Sequence, residues 1–358
     1  VLLRRRHLLQ AAVLAPLLGT AGAWALPARA LRFPRDHGAH PELRTEWWYL
    51  TGHAHTAAGR AFGFQVTFFR SRVDGTQAMQ SRLAARQLLF AHAAITDVQA
   101  GKLWHDERIA RWNGEPGGAV DASLSDTAVA LAGWSFKRET GGYHTHITGD
   151  DLRLSLRAQP TQALLLQGDQ GLSRKGPGAA QASYYYSQPQ LALAGTLGLK
   201  GERFEVTGRA WLDHEWSEAL LHPEAVGWDW TGMNLADGSA LTAFRLRRAD
   251  GSALWAGGSW RGPGDATPRV FAPHELTFEP VRHWTSPQTG ARYPVEWRLH
   301  TPAGTHAVRA QLDAQELDAR ASTGNVYWEG LSDLLDPAGQ AVGKGYLEMT
   351  GYAQRLRL

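Results

Sequence analysis

The chain has no cysteine among its 358 residues, which excludes disulfides, thiolate metal sites and a cysteine nucleophile. Lysine is scarce, with five residues, and no basic run follows residue 6. The formal net charge of +3 comes from Arg4, Arg5 and Arg6; without them, 34 basic residues balance 34 acidic ones. Neither nucleic acid nor an anionic membrane surface is implied as a partner. No apolar run beyond the first 25 residues is long enough to cross a bilayer as a helix. No Gly-x-Ser-x-Gly nucleophile elbow is present, since Gly171–Gly176 and Gly257-Gly258-Ser259-Trp260 do not fit it. A phosphate-binding glycine loop is missing too. Long amphipathic helices are also lacking; Ser81–Leu89 and Gln311–Arg320 are the only helix candidates.

What the chain has in quantity is tryptophan, at 15 residues, and glycine, at 39. With short apolar-alternating segments between turn signals, this predicts an all-β protein, and the length favours two domains. Strands are expected at Ala61–Arg70, Phe90–Ile95, Tyr143–Thr148, Leu152–Leu156 and Leu164–Leu166. In the first of these Phe62, Phe64, Val66 and Phe68 share one face with Arg70. Asp74-Gly75, Gly141-Gly142, Asp237-Gly238, Asp250-Gly251 and Pro337-Ala338-Gly339 mark turns.

Residues 1–25 read as an export signal. Arg4–Arg6 form its charged start, Leu8 to about Ala23 its apolar stretch, and Ala23-Trp24-Ala25 the cleavage pattern. Arg5-Arg6-His7-Leu8-Leu9-Gln10 has the form of a twin-arginine signal. The expected location is periplasmic or secreted, with no transmembrane segment in the mature chain.

The body repeats itself. Trp47-Trp48-Tyr49-Leu50-Thr51-Gly52, followed by a turn and a strand ending in Phe69-Arg70, is echoed by Trp228-Asp229-Trp230-Thr231-Gly232. That second element also runs through a turn to Phe244-Arg245. Glu205-Val206-Thr207-Gly208 is echoed by Glu348-Met349-Thr350-Gly351. The repeat predicts two antiparallel barrels related by duplication, at 42–216 and 217–358, after a lead-in at 26–41.

Leu212-Asp213-His214-Glu215-Trp216 falls at their junction, a favoured place for a ligand pocket. On extended backbone, His214 and Trp216 share one face, and Asp213 and Glu215 the other. An imidazole beside an indole suits acid chemistry on an apolar substrate; a structural corner is the competing reading. Arg70 and Arg245, at equivalent strand ends, are the natural ion-pair partners of Glu46 and Asp229. Glu46 beside Trp47 and Trp48 could instead be a second acid at the pocket. His92, in an apolar strand, suits a satisfied core histidine. Tyr184 and Tyr186 share a face and could line a cavity. His53 with His55, and His144 with His146, have metal-ligand spacing but no third ligand in view. No metal and no cofactor is therefore expected.

A family resemblance runs through the mature chain in order. It is carried by Phe33-Pro34-Arg35-Asp36-His37, Thr45-Glu46-Trp47-Trp48-Tyr49, Phe90-Ala91-His92-Ala93, Gln167-Gly168-Asp169, Tyr184-Tyr185-Tyr186-Ser187, Trp211–Trp216, Gly227–Trp230, Tyr327-Trp328-Glu329-Gly330 and Gly345-Tyr346-Leu347-Glu348. These segments resemble the AttH / carotenoid 1,2-hydratase (hydroxyneurosporene synthase) family. The resemblance implies two lipocalin-like β-barrels and His214 with Trp216 where hydratases carry a His and a Trp. The following strand, Ser239–Arg245, departs from the hydratase pattern by lacking its tyrosine and aspartate. The resulting expectation is proton-transfer chemistry, hydration or isomerisation, on a hydrophobic polyene, terpenoid or lipid-like molecule between the barrels. His214 would act there with Asp213 or Glu215, against Trp216, Trp228 and Trp230. Glu46, Trp47, Trp48, Arg70, His92, Tyr184, Tyr186, Asp229, Arg245, Trp328 and Glu329 complete the candidate ligand contacts. The alternative expectation is a carrier of a hydrophobic ligand working with an ABC transporter.

Overall fold

The computed structural model describes residues 25–81 and 83–356; all but Ala25 of the expected export signal lies outside them. The first sheet contains β1 (Thr45–His55), β2 (Ala61–Arg72), β3 (Gln87–Asp97), β4 (Lys102–Trp112), β5 (Val120–Ala122), β6 (Ala128–Leu131), β7 (Trp134–Glu139), β8 (Gly142–Thr148), β9 (Leu152–Gln159), β10 (Leu165–Leu166), β11 (Leu172–Arg174), β12 (Ala182–Leu199) and β13 (Glu202–Ala219). The second contains β14 (Gly227–Leu235), β15 (Ala240–Arg247), β16 (Ala253–Arg261), β17 (Arg269–Phe271), β18 (Thr277–Thr285), β19 (Arg292–Thr301), β20 (Gly304–Ala310), β21 (Glu316–Ala319), β22 (Asn325–Leu335) and β23 (Ala341–Met349). Within each sheet the first strand pairs antiparallel with the last, β1 with β13 and β14 with β23. The others follow mostly as meanders. The protein is thus all-β, with two lipocalin-like antiparallel barrels.

Both helix candidates are corrected. Gln87 already begins β3, and β21 occupies Glu316–Ala319. Sheet pairing on both sides of β3, and the β21–β22 ladder, override the weak local helix pattern. Among the described residues the only helical turns are short 3-10 segments, and no helix is long and apolar enough to cross a membrane.

The interiors of both barrels are filled. Trp48, Leu50, Phe62, Phe64, Val66 and Phe68 point into the first core, where burying each large side chain is worth about 1.5–3 kcal/mol. Met233, Leu241, Val295, Trp297, Trp328 and Leu347 fill the second. The outer faces differ from strand to strand. β9 alternates strictly, with Leu152, Leu154 and Leu156 inward and Arg153, Ser155 and Arg157 in solvent. β1, β2 and β14 are buried on both faces, because their outer faces meet at the seam between the barrels.

Polar bonds stitch this seam. Thr96 donates to Gln315 at 2.7 Å, the Gln190 amide to Asn234 Oδ1 at 2.8 Å, and Ser259 to Gln167 at 2.8 Å. Gly63 of β2 faces it so closely that a Cβ there would lie 2.7 Å from the Tyr346 hydroxyl and 2.8 Å from Leu331 Cβ. Gly63→Val is therefore expected to lower stability by roughly 1–3 kcal/mol through overpacking. Chemical denaturation measures this, and an unchanged midpoint would show that the barrels are not in firm contact here.

Candidate functional site

At one part of the seam the two barrels do not fill the space between them, leaving a cavity of about 200 Å³ that is partly open to solvent. Strand alternation decides what lines it. β1 turns Trp47 and Tyr49 outward to the seam, and β14 does the same with Trp228 and Trp230. Trp47 and Trp228 lie nearly parallel, with ring centroids 6.4 Å apart. Phe69, Phe90, Phe244 and Tyr327 add to an aromatic wall.

Besides Glu46, which touches its edge, four carboxyl groups reach the same cavity: Asp213 and Glu215 from β13, Glu329 from β22 and Glu348 from β23. Asp213 accepts hydrogen bonds from Trp211 Nε1 at 2.7 Å, Tyr185 at 2.6 Å and Ser187 at 2.5 Å. Burial outweighs these donors and pushes its pKa up to about 7. Glu215 is neutralised by Lys175, 2.9 Å away, and accepts from Ser183 at 2.5 Å. Glu329 and Glu348 sit directly opposite each other on neighbouring strands. Burial raises both, Glu348 to about 8, and the charge of Glu348 holds Glu329 still further up. Tyr49 lies close enough to Glu329 to act on its ionisation, yet neither the Tyr49 hydroxyl nor Glu329 Oε1 completes a well-formed hydrogen bond.

The register makes the duplication explicit. Glu46 pairs with Arg70 as Asp229 pairs with Arg245. Trp47 then lies opposite Glu215 as Trp230 lies opposite Glu348. Glu348 is thus the counterpart of Glu215, not of Glu205 as the Glu-x-Thr-Gly echo suggests.

His214 does not face the cavity. With Trp216 it points to the other side of β13, fully buried, and the expectation of an imidazole in the junction is corrected. It belongs to a closed polar network centred on Glu46. His214 Nε2 and His40 Nδ1 contact Glu46 Oε1 at 2.9 and 2.8 Å, and Arg70 Nε donates to Oε2 at 2.8 Å. Beyond these, His40 Nε2 reaches Asp36 at 3.1 Å and His214 Nδ1 reaches the Tyr186 hydroxyl at 3.2 Å. Tyr186 in turn meets His37 Nδ1 at 2.7 Å. Trp216 stacks on His40 with centroids 4.0 Å apart, and Trp48 on His214 at 4.7 Å. Burial lowers the pKa of His214 to about 4 despite Glu46, so it is a neutral imidazole. Burial also opposes charge on His40, but hydrogen bonds to Asp36 and Glu46 outweigh it and raise its pKa.

His40, Glu46 and His214 bring three possible metal-ligand atoms within 4.8 Å of one another. Both imidazoles already share one carboxylate oxygen and Arg70 takes the other, so the set is satisfied without an ion and Arg70 would repel one.

Other sequence candidates separate by strand face. Trp47, Trp228, Trp230, Asp213, Glu215 and Glu329 border the cavity, as do Glu46, Arg70 and His92. His92 is held by the Tyr327 hydroxyl at 2.6 Å and by Ser322 at 2.8 Å. Trp48 points into the first barrel and Trp328 into the second, where it donates to the Asp313 carbonyl at 2.7 Å. Asp229 is bound by Arg245 at 2.7 Å and by Tyr352 at 2.8 Å, away from the seam. Tyr184 and Tyr186 pack under the lead-in, beside Leu26 and Leu31. It is Tyr185, on the opposite face, that supports the cavity through Asp213. All of these displacements have one cause, the strict alternation of β-strand side chains.

The sequence reading missed Lys175, Glu348, Tyr327 and the buried pair His37 and His40. Glu348 lay within a repeat and within a segment of the family resemblance, neither of which says which way it points; Lys175 sits in an irregular segment that offered no signal.

The AttH-like family profile matches residues 24–352. The chain belongs to the AttH-like family. The crystal structure of a candidate AttH protein from Nitrosomonas europaea is 46% identical, covers 92% of this chain and 99% of its own, and superposes with a TM-score of 0.85. Kievitone hydratase from Nectria haematococca shares the fold at 13% identity, with a TM-score of 0.66 over 92% of this chain and 98% of its own. CghA does so at 14% identity and a TM-score of 0.56, over 93% and 96%. No curated protein sequence matches the chain.

Within this AttH-like chain, Arg70→Met would strand Glu46 beside two buried imidazoles, and a loss of about 3–5 kcal/mol is expected in urea unfolding. The pH dependence of stability has a defined sign. A carboxyl raised in the folded state keeps a proton that the unfolded chain releases, so its contribution falls as pH rises towards the folded pKa. From the ordinary carboxyl values of 3.8 and 4.5 up to about 7 for Asp213 and about 8 for Glu348, stability should decline as pH rises, with Glu329 acting in the same direction, and Glu348→Gln should flatten the decline in unfolding curves taken across that window.

Proposed function

We propose that this AttH-like protein is an exported enzyme that carries out proton-transfer chemistry, hydration or isomerisation, on a hydrophobic polyene, terpenoid or lipid-like molecule held in the seam cavity. The observation that carries this reading is the pair Glu329 and Glu348, opposed across two strands in an aromatic-walled cavity. Export to the periplasm or beyond rests on the N-terminal segment, with cleavage near Ala25.

Hydration of an unactivated alkene needs an acid that is protonated at neutral pH, walls that tolerate a carbocation, and limited water. A carboxyl raised to about 8 supplies the first. It gives its proton to one alkene carbon and becomes a carboxylate beside the cation on the other. Water then adds to that carbon and returns a proton to the carboxylate; in isomerisation, loss of a proton from a neighbouring carbon does so instead. Indole faces stabilise the intermediate charge. His214 holds Glu46, Tyr186 and the lead-in together, and the acid role moves from it to the carboxyl pair. A cavity of about 200 Å³ takes one end of a long chain or a small terpenoid. A carrier working with an ABC transporter would use the same apolar walls, but paired acidic groups give it no advantage with a neutral cargo.

Glu329→Gln and Glu348→Gln are each expected to lower turnover by at least about 100-fold while the apolar ligand still binds. Turnover in the wild type should fall as pH rises through about 8. The assay is mass spectrometry of polyenes and terpenoids before and after incubation, reading a gain of water or an isomeric shift. Full turnover in both glutamine variants would remove the carboxyl pair from the mechanism, and ligands recovered unaltered under all conditions would favour the carrier.

A further inference from the structure

We propose that the seam cavity binds amphiphilic organic cations, an ammonium group on a hydrocarbon chain or terpenoid, with the charge between Glu329 and Glu348 and the tail along the aromatic wall. This deepens the reading of the seam as the ligand site and rests on it.

The argument is a charge inventory. Lys175 is bound to Glu215 at 2.9 Å and Arg70 to Glu46 at 2.8 Å, so these two cations are already neutralised. His92, the imidazole bordering the cavity, is held neutral by burial, which lowers its pKa to about 3. Tyr49 and Tyr327, the phenols facing it, remain protonated because burial raises both. Asp213 has three hydrogen-bond donors but no cation. Glu329 and Glu348 have no ion-pair partner among the described residues. Glu329 is 3% exposed and its Oε1 has no hydrogen-bond partner, although it borders the open space. The cavity therefore carries an excess of acidic groups over cations, enclosed by indole and phenyl rings.

Such a surrounding favours a positive ligand for two separable reasons. Carboxylates attract it strongly where water is scarce, and aromatic faces attract it through their quadrupoles. With no ligand, the carboxyl pair lowers its own repulsion by keeping a proton. A fixed cation displaces that proton. The same charge pattern meets a carbocation during turnover, so an ammonium ion of similar shape imitates the reacting state without reacting.

The test uses the whole mature protein and three probes below their micelle-forming concentrations: decyltrimethylammonium, decanol and decanoate. Tryptophan fluorescence and calorimetry read the binding. Decyltrimethylammonium is expected to bind at least tenfold more tightly than decanol at pH 8. Its affinity should rise by up to about tenfold per pH unit between pH 6 and 8, with proton release shown by the dependence of the heat on buffer. Because the quaternary ammonium does not titrate, that dependence belongs to the protein. Glu329→Gln combined with Glu348→Gln should abolish the preference while decanol binding survives, which also shows that the variant is folded. Equal or tighter binding of decanol or decanoate to the wild type would overturn this inference and leave the seam as a ligand site. Failure of all three probes to bind would overturn the seam as the ligand site itself.

Discussion

Everything distinctive about this protein follows from closing two barrels against one another so that strands β1, β2, β14 and β22, with the adjoining parts of β13 and β23, are buried on both faces. A barrel by itself needs only one buried face and leaves the other in water, as β9 does with its alternating leucines and polar residues. The seam removes that freedom. Along these stretches a residue goes either into a packed barrel core or into the shared space, and a charged group there has little access to solvent. Carboxyl groups therefore appear in the interior, and each has to be paired, hydrogen-bonded or protonated.

The molecule answers this demand differently on the two faces. On the inward side, Glu46 has Arg70 and two imidazoles, and Asp229 has Arg245 and Tyr352. Those groups are satisfied and lock the strand ends and the lead-in in place. On the seam side, Glu215 has Lys175 and Asp213 has three donors, but Glu329 and Glu348, opposed to each other beside an aromatic wall, have no ion-pair partner among the described residues. The unsatisfied half of the pattern is the half that borders open space. Structure and reactivity are thus divided between the faces of the same strands.

Relatedness and geometry contribute different information. Membership of the AttH-like family and the crystallographic relative at 46% identity establish the architecture. The hydratase from Nectria haematococca shares the fold at 13% identity, which says nothing of individual residues. The chemical proposal therefore rests on the cavity and its carboxyl groups.

The sequence by itself determined the all-β class, the duplication, the strand bearing Phe62, Phe64, Val66, Phe68 and Arg70, the Glu46–Arg70 and Asp229–Arg245 pairings, and the split of Asp213 and Glu215 from His214 and Trp216. These follow from local alternation and from repeats, which need no knowledge of what covers a strand. Which face looks into the cavity was decided only by the tertiary structure. An amphipathic pattern reveals an inside when the other side is water, but β14 and the part of β13 that carries Asp213 to Trp216 are buried on both sides. Nothing local distinguishes the face carrying His214 from the one carrying Asp213, or Tyr186 from Tyr185. The docking of the second barrel, together with a lead-in that brings His37 and His40 from far along the chain, made that choice.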